Sequence, residues 1–193
     1  DNFLLITLEN GVGAGTILNG QLIRGDVGLA SEFGHISSDP NGPDCRCGRK
    51  GCIESYAGIS ALIRDAKSLV TKGLWYSSAK QPEELTYNDI LAELRHGNEH
   101  LEKVFKKAGE VLGLGIFNLI ILLNPKLVII TGKGVLAGDV LFKPMMETLN
   151  NLKEGKFGVL NLEIAVQKWT DSDWARESGT LVLQEIYKSP AFK

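Results

Sequence analysis

The chain has 193 residues, 44% of them apolar and 23% charged, with 21 Lys and Arg against 23 Asp and Glu. That balance is ordinary for a globular protein and argues against disorder, collagen and coiled coil. A formal net charge of −2 gives no electrostatic reason to expect nucleic acid on this surface. The longest apolar run, Leu119 to Leu123, falls far short of the ~20 residues a membrane span needs, and no signal peptide opens the chain. Residue 1 is Asp rather than Met, and a hydrophobic strand is already under way at Phe3. We therefore expect a piece of a longer, cytoplasmic protein.

In chain order, Phe3 to Leu8 is a nearly all-apolar run and reads as a buried strand. The Gly-rich stretch Gly11 to Gly15 reads as a turn, and Asn19-Gly20 signals a hairpin between Thr16–Leu18 and a strand at Gln21–Arg24. An antiparallel meander is expected. From Gly34 to Gly51 the chain is rich in Gly, Pro, Asp and Ser and lacks hydrophobic periodicity; a loop of that length is expected to be functional or pinned. Helical spacing then runs from Ile53 to Val70, recurs over Asn88–Leu94, and returns from Leu101 to about Leu123, where Asn124-Pro125 stops it. Lys126 to Thr131 reads as a buried strand followed by a Gly132-Lys-Gly134 turn. Val140–Leu149 is amphipathic, Leu160–Val166 alternates as a strand, and Trp174–Tyr187 closes as a helix. Strands first and then an αβαβα succession mean one α/β domain with mixed sheet pairing over 1–193.

Cysteine usage is the strongest chemical signal. Cys45, Cys47 and Cys52 fall within eight residues and the rest of the chain has none. An odd, clustered set does not read as a secreted disulfide framework. Three thiols converging on a point suit a soft metal, and His35 completes the pattern His-x9-Cys-x-Cys-x4-Cys, the Cys3His set that structural zinc accepts. Pro40, Gly42, Pro43, Gly48 and Gly51 let such a loop fold back on itself. The competing reading is free thiols beside an unrelated His35. It leaves the order of so long a loop unexplained, whereas ligation free energy becomes folding free energy.

Glu32-Phe-Gly-His35, Asp39-Pro-Asn-Gly42 and Cys45-Arg-Cys-Gly-Arg-Lys-Gly-Cys-Ile-Glu54 together resemble the signature of the ROK family, which groups bacterial repressors, uncharacterised reading frames and sugar kinases. Gly11 to Gly15, Leu123-Asn-Pro125, Gly138-Asp139 and Ser178 to Leu183 extend the resemblance over most of the chain. It implies the C-terminal lobe of an actin-like ATPase, ribonuclease-H-like α/β fold, with a zinc loop over residues 34–52 and zinc on His35, Cys45, Cys47 and Cys52. It also implies sugar contacts at Glu32, His35 and Glu54. Ionised carboxylates suit that task because each accepts up to about four hydrogen bonds. The competing readings are a surface carboxylate at Glu32 and a solvated helix start at Glu54.

Backbone N–H groups at Gly11 and Gly13, and at Gly132 and Gly134, are the family's places for nucleotide phosphates. The chain departs from the kinase pattern there: Glu9-Asn10 replaces the usual Gly-Thr, and Gly132-Lys-Gly134 replaces a Gly-Gly pair. A carboxylate at Glu9 repels phosphate. The kinases' general base and the repressors' DNA-binding head would both lie ahead of residue 1, so the chain by itself is expected neither to phosphorylate sugar nor to bind an operator. The expected function is the sugar-sensing, effector-binding portion of a transcriptional regulator, most like the NagC/XylR-type repressors. The alternative is the C-terminal lobe of a hexose or N-acylhexosamine kinase using Mg-ATP. Expected partners are a small-molecule sugar, a second copy in a homodimer, and operator DNA only through a segment outside this chain, with no membrane.

Three further features are read as structural. Trp169 and Trp174, flanking Asp171-Ser-Asp173, read as core or interface. His96 and His100 read as surface residues and the run from Glu102 to Lys107 as a solvated helix face. Leu114–Leu123 is apolar nearly all round, which asks for cover on more than one side.

Overall fold

Phe3–Leu8 forms β1, the centre of a five-stranded sheet ordered β3-β2-β1-β4-β5. The computed structural model describes residues 2–75, 81–154, 162–168, 170 and 172. β1 pairs antiparallel with β2 (Val12–Leu18), from Phe3 opposite Ile17 to Leu8 opposite Val12, and β2 pairs antiparallel with the short β3 (Gln21–Leu22). On its other edge β1 runs parallel to β4 (Leu127–Thr131), Phe3 opposite Leu127 and Thr7 opposite Thr131, and β4 runs parallel to β5 (Glu163–Val166). Leu4, Ile6 and Leu8 are fully buried and Phe3, Leu5 and Thr7 half-buried, which explains why β1 reads as almost continuously apolar. Asn19, at φ 53°, and Gly20 make the hairpin turn between β2 and β3.

The helices are α1 (Glu54–Ala57), α2 (Ile59–Thr71), α3 (Tyr87–Arg95), α4 (Glu99–Leu123) and α5 (Asp139–Lys153). Thr86 and Asp89 cap α3 reciprocally, and the Asn98 side chain accepts from the N–H groups of His100 and Leu101 to start α4. Asn124, left-handed at φ 44°, ends α4 ahead of Pro125. Residue Gly115 of α4 positions the loop that carries the cysteines. A Cβ there would strike the Ile53 side chain and lie 3.0–3.1 Å from the Phe33 ring. Its absence opens a notch that takes Phe33 and Ile53, both essentially inaccessible to solvent. Those two side chains bracket the loop, one just before His35 and one just after Cys52.

Several boundaries differ from expectation. The Gly11–Gly15 stretch is not one turn: the turn closes at Gly11, and Gly13 and Gly15 are β2 residues. The helix expected over Ile53–Val70 is broken at Gly58, where a Cβ would lie 2.9 Å from the carbonyl oxygens of Asn10 and Glu54. The break lets the Ile59 and Ser60 N–H groups at the start of α2 donate to the Glu9 and Asn10 carbonyls. β3 stops at Leu22; the Ile23 N–H still donates to the Thr16 carbonyl, and beyond it the Ala30 N–H bonds back to the Arg24 carbonyl. Along α4, Ile116 and Ile120 are buried but Leu122 is 77% exposed, so the apolar stretch is covered on one side only by the described residues. His96 ends α3 and His100 lies in the first turn of α4, so they share no helix face. Trp169, Asp171, Asp173, Trp174 and the closing helix lie outside the described residues. Among the described residues no helix is long and apolar enough to cross a membrane.

Candidate functional site

The Gly/Pro-rich loop is a knuckle held by its own backbone. Ser37 and Cys52 form an antiparallel bridge at its base, Asp44 and Lys50 another near its tip, and the Ser38, Cys45 and Gly51 N–H groups donate to Gly51, Arg49 and Pro43. Gly48, at φ 85°, closes the tip by donating to the Cys45 carbonyl. This brings one ligand atom each from His35, Cys45, Cys47 and Cys52 within 4.8 Å of one another. His35 Nδ1 is 3.5 Å from Cys45 Sγ, and Cys47 Sγ is 3.6 Å from Cys52 Sγ. A tetrahedral ion with metal–sulfur bonds of about 2.3 Å and a metal–nitrogen bond of about 2.0 Å has S···S and N···S edges of about 3.8 and about 3.5 Å. The donors therefore fit such an ion in kind and number, and the two pairs His35–Cys45 and Cys47–Cys52 lie close to its edge lengths.

The Cys47 and Cys52 thiols are tuned in opposite directions. Hydrogen bonds from the Arg49 backbone and side chain pull the exposed Cys47 thiol down to about 6, while burial pushes Cys52 up to about 12. Arg49 also donates to the His35 carbonyl at 2.8 Å. With Nδ1 turned to the cysteines, His35 Nε2 faces Glu32 Oε2 at 3.9 Å, and the Glu32 side chain is 58% exposed.

Glu54 opens α1 yet is only 7% exposed, which removes the solvated-helix-start reading. Its Oε2 accepts from the Val12 N–H at 3.0 Å and from Arg46 Nη2 at 3.1 Å, and its Oε1 from Arg46 Nε at 2.5 Å. Burial by itself would raise this carboxyl, but the Arg46 guanidinium and the Val12 N–H outweigh it and hold Glu54 below the usual carboxylate range. The approach depends on Gly11, where a Cβ would overlap Glu54 Oε2 and lie 3.0 Å from Arg46 Nη2. Glu54 and Arg46 line a cleft of about 260 Å³ together with Asn10, Ser55, Ser60 and Arg64. Glu54 is the strongest influence on the Arg46 guanidinium; of the other expected sugar residues, neither Glu32 nor His35 lines this cleft, and Glu32 lines a separate cavity with Phe33 and Ile36.

The other expected glycines sit where β1 and β4 end side by side, the place where open α/β sheets bind ligands. Gly132, at φ 100°, turns the chain after β4, packed so closely that a Cβ would strike the Leu8 carbonyl. Here the Lys133 N–H donates to Glu9 Oε1 at 2.8 Å. A carboxylate of this chain thus takes up the donor that the glycine turn presents. Buried Tyr87 donates to the Gly134 carbonyl at 3.2 Å, and burial, then Glu9, keeps its phenol well above the usual tyrosine range. Sequence reasoning missed Arg46 as the partner of Glu54; the signal available was an Arg enclosed by two cysteines of a compact loop.

A mixed α/β sheet of this kind is typical of the superfamily that ROK proteins share with the actin-like ATPases, and this chain also carries a His/Cys cluster that could hold a metal. The chain belongs to the ROK family, whose profile matches residues 1–185. It is 31% identical over 150 residues to the glucokinase of Thermotoga maritima, covering 76% of this chain and 47% of that one. To the xylose repressor of Caldicellulosiruptor bescii it is 28% identical, covering 99% of this chain and 48% of that one. The ROK glucokinase of Streptomyces griseus, solved in complex with glucose and AMPPNP, superposes with a TM-score of 0.72 at 28% identity, over 86% of this chain and 55% of that one. The chain thus spans about half the length of these relatives, two glucokinases and one repressor.

Proposed function

We propose that this chain is the sugar-sensing, effector-binding part of a ROK transcriptional regulator, with a structural zinc ion held by His35, Cys45, Cys47 and Cys52. The ion supplies a fixed cross-link. Nδ1 of His35 faces the ligand set, so its Nε2 is left for a sugar hydroxyl, and Glu32 and Glu54 accept from others. Sugar bound between this lobe and the rest of the protein favours the closed arrangement by whatever affinity it gains there, and closure repositions a DNA-reading head elsewhere in the protein. A homodimer presents two such heads to operator DNA.

The observation that carries the regulator reading is the 2.8 Å hydrogen bond from the Lys133 N–H to Glu9 Oε1. An anionic side chain there competes with nucleotide phosphate for the same donor and repels it. The kinase reading, with Mg-ATP over Gly11, Gly13, Gly132 and Gly134, draws on the 31% identity to a glucokinase. Calorimetric titration of the intact protein with D-glucose and D-xylose, followed by incubation with sugar and Mg-ATP, separates the two. Sugar binding without ATP turnover is the expected result; sugar phosphate above the uncatalysed background overturns it in favour of the kinase.

A further inference from the structure

We propose that Arg46 is an internal competitor for the Glu54 carboxylate, which sugar reaches only by displacing the guanidinium. The inference rests on the reading of Glu54 as a sugar contact and adds a selectivity residue to it. Arg46 approaches both Glu54 oxygens in a fork, at 2.5 and 3.1 Å, and the Val12 N–H takes a further position on Oε2. Arg46 and Glu54 line the same cleft. A sugar hydroxyl entering there finds both oxygens engaged in charge-assisted bonds, roughly twice as strong as neutral ones.

Arg46 is built to leave. Its side chain is 75% exposed while that of Glu54 is 8% exposed, so the guanidinium moves into water and the carboxylate stays in place. Val12 and the Gly11 contact hold the carboxylate oriented after the exchange. The smallest sugar fragment that replaces a two-donor fork is a vicinal diol, one hydroxyl to each oxygen. A sugar lacking one of the pair recovers only half of what it displaces, and Arg46 thereby selects for the diol.

The test uses the intact protein with D-glucose and D-xylose as probes, comparing wild type with Arg46→Ala and Arg46→Lys by calorimetry, thermal melting and metal content. Arg46→Ala should bind the accepted sugar about tenfold more tightly, equivalent to about 1.4 kcal/mol, with Arg46→Lys between it and wild type and metal content equal in all three. Without sugar, Arg46→Ala should melt below wild type; at saturating sugar the two should melt together. Equal lowering of Tm with and without sugar, at unchanged affinity, would mean that Arg46 stays on Glu54, and weaker binding would make Arg46 a sugar contact; either overturns the proposal. If neither wild type nor variant binds either sugar, the sugar-sensing reading itself fails and takes this one with it.

Discussion

The turn Glu9-Asn10-Gly11 has two flanks, and they are built on opposite plans. On one, Gly11 lacks a side chain and the space admits Glu54, Arg46 and a cleft. On the other, Glu9 supplies a side chain and fills the space beside Gly132 and Lys133. Glycine-rich turns in the same few residues therefore need not share a task. One flank is hollowed around a carboxylate that lines a cleft, and the other is closed by a carboxylate of the chain itself.

The largest effect is expected at the knuckle that supports the open flank. Cys47→Ser or Cys52→Ser should reduce bound zinc from about one per chain to none, and amide exchange should lose its protection over 34–52 while β1, β4 and α4 keep theirs. Loss of protection across the whole sheet would show that the two flanks do not stand apart. Next, Gly11→Ala should force Glu54 out of place at a cost of about 1–3 kcal/mol in denaturant melts, as overpacking does. Its sugar affinity should fall as far as that of Glu54→Ala, at unchanged zinc content. Wild-type affinity in either variant would remove Glu54 from the open flank.

Smaller changes belong to the closed flank. Glu9→Ala should lower stability by about 1 kcal/mol at most, because the hydrogen bond it removes is exposed and water takes over the Lys133 N–H, and should leave sugar affinity as it was. Tyr87→Phe should cost about 1 kcal/mol for the hydrogen bond to Gly134. It should also remove an alkaline limb of the stability profile. The folded phenol is held neutral above the ordinary value of about 10, so above that pH the unfolded chain ionises first and binds fewer protons, and stability falls as pH rises. An unchanged alkaline limb in Tyr87→Phe would place its origin elsewhere.

Elements governed by short-range patterns were legible in the residues. The β1 run, the Asn19-Gly20 hairpin, the stop at Asn124-Pro125 and the gathering of His35 with Cys45, Cys47 and Cys52 all rest on neighbours along the chain. What was not legible depends on contacts between distant segments. The break at Gly58 answers to the Asn10 carbonyl, the Glu54 position to Val12 and Gly11, and the Lys133–Glu9 bond joins residues 124 apart. Gly13 was misread as part of a turn because a glycine in a strand and a glycine in a turn look alike until the register of the partner strand is known.

Phe33 and Ile53 enter the same notch at Gly115, so the chain leaves the body and returns to it at a single doorway. Much of what lies between them is an appendage whose outline is set by its own bridges, Ser37 with Cys52 and Asp44 with Lys50. Such a segment is exchangeable. A relative's finger of different length, grafted between these two anchors, should change what stands over the cleft without altering the strand order below it.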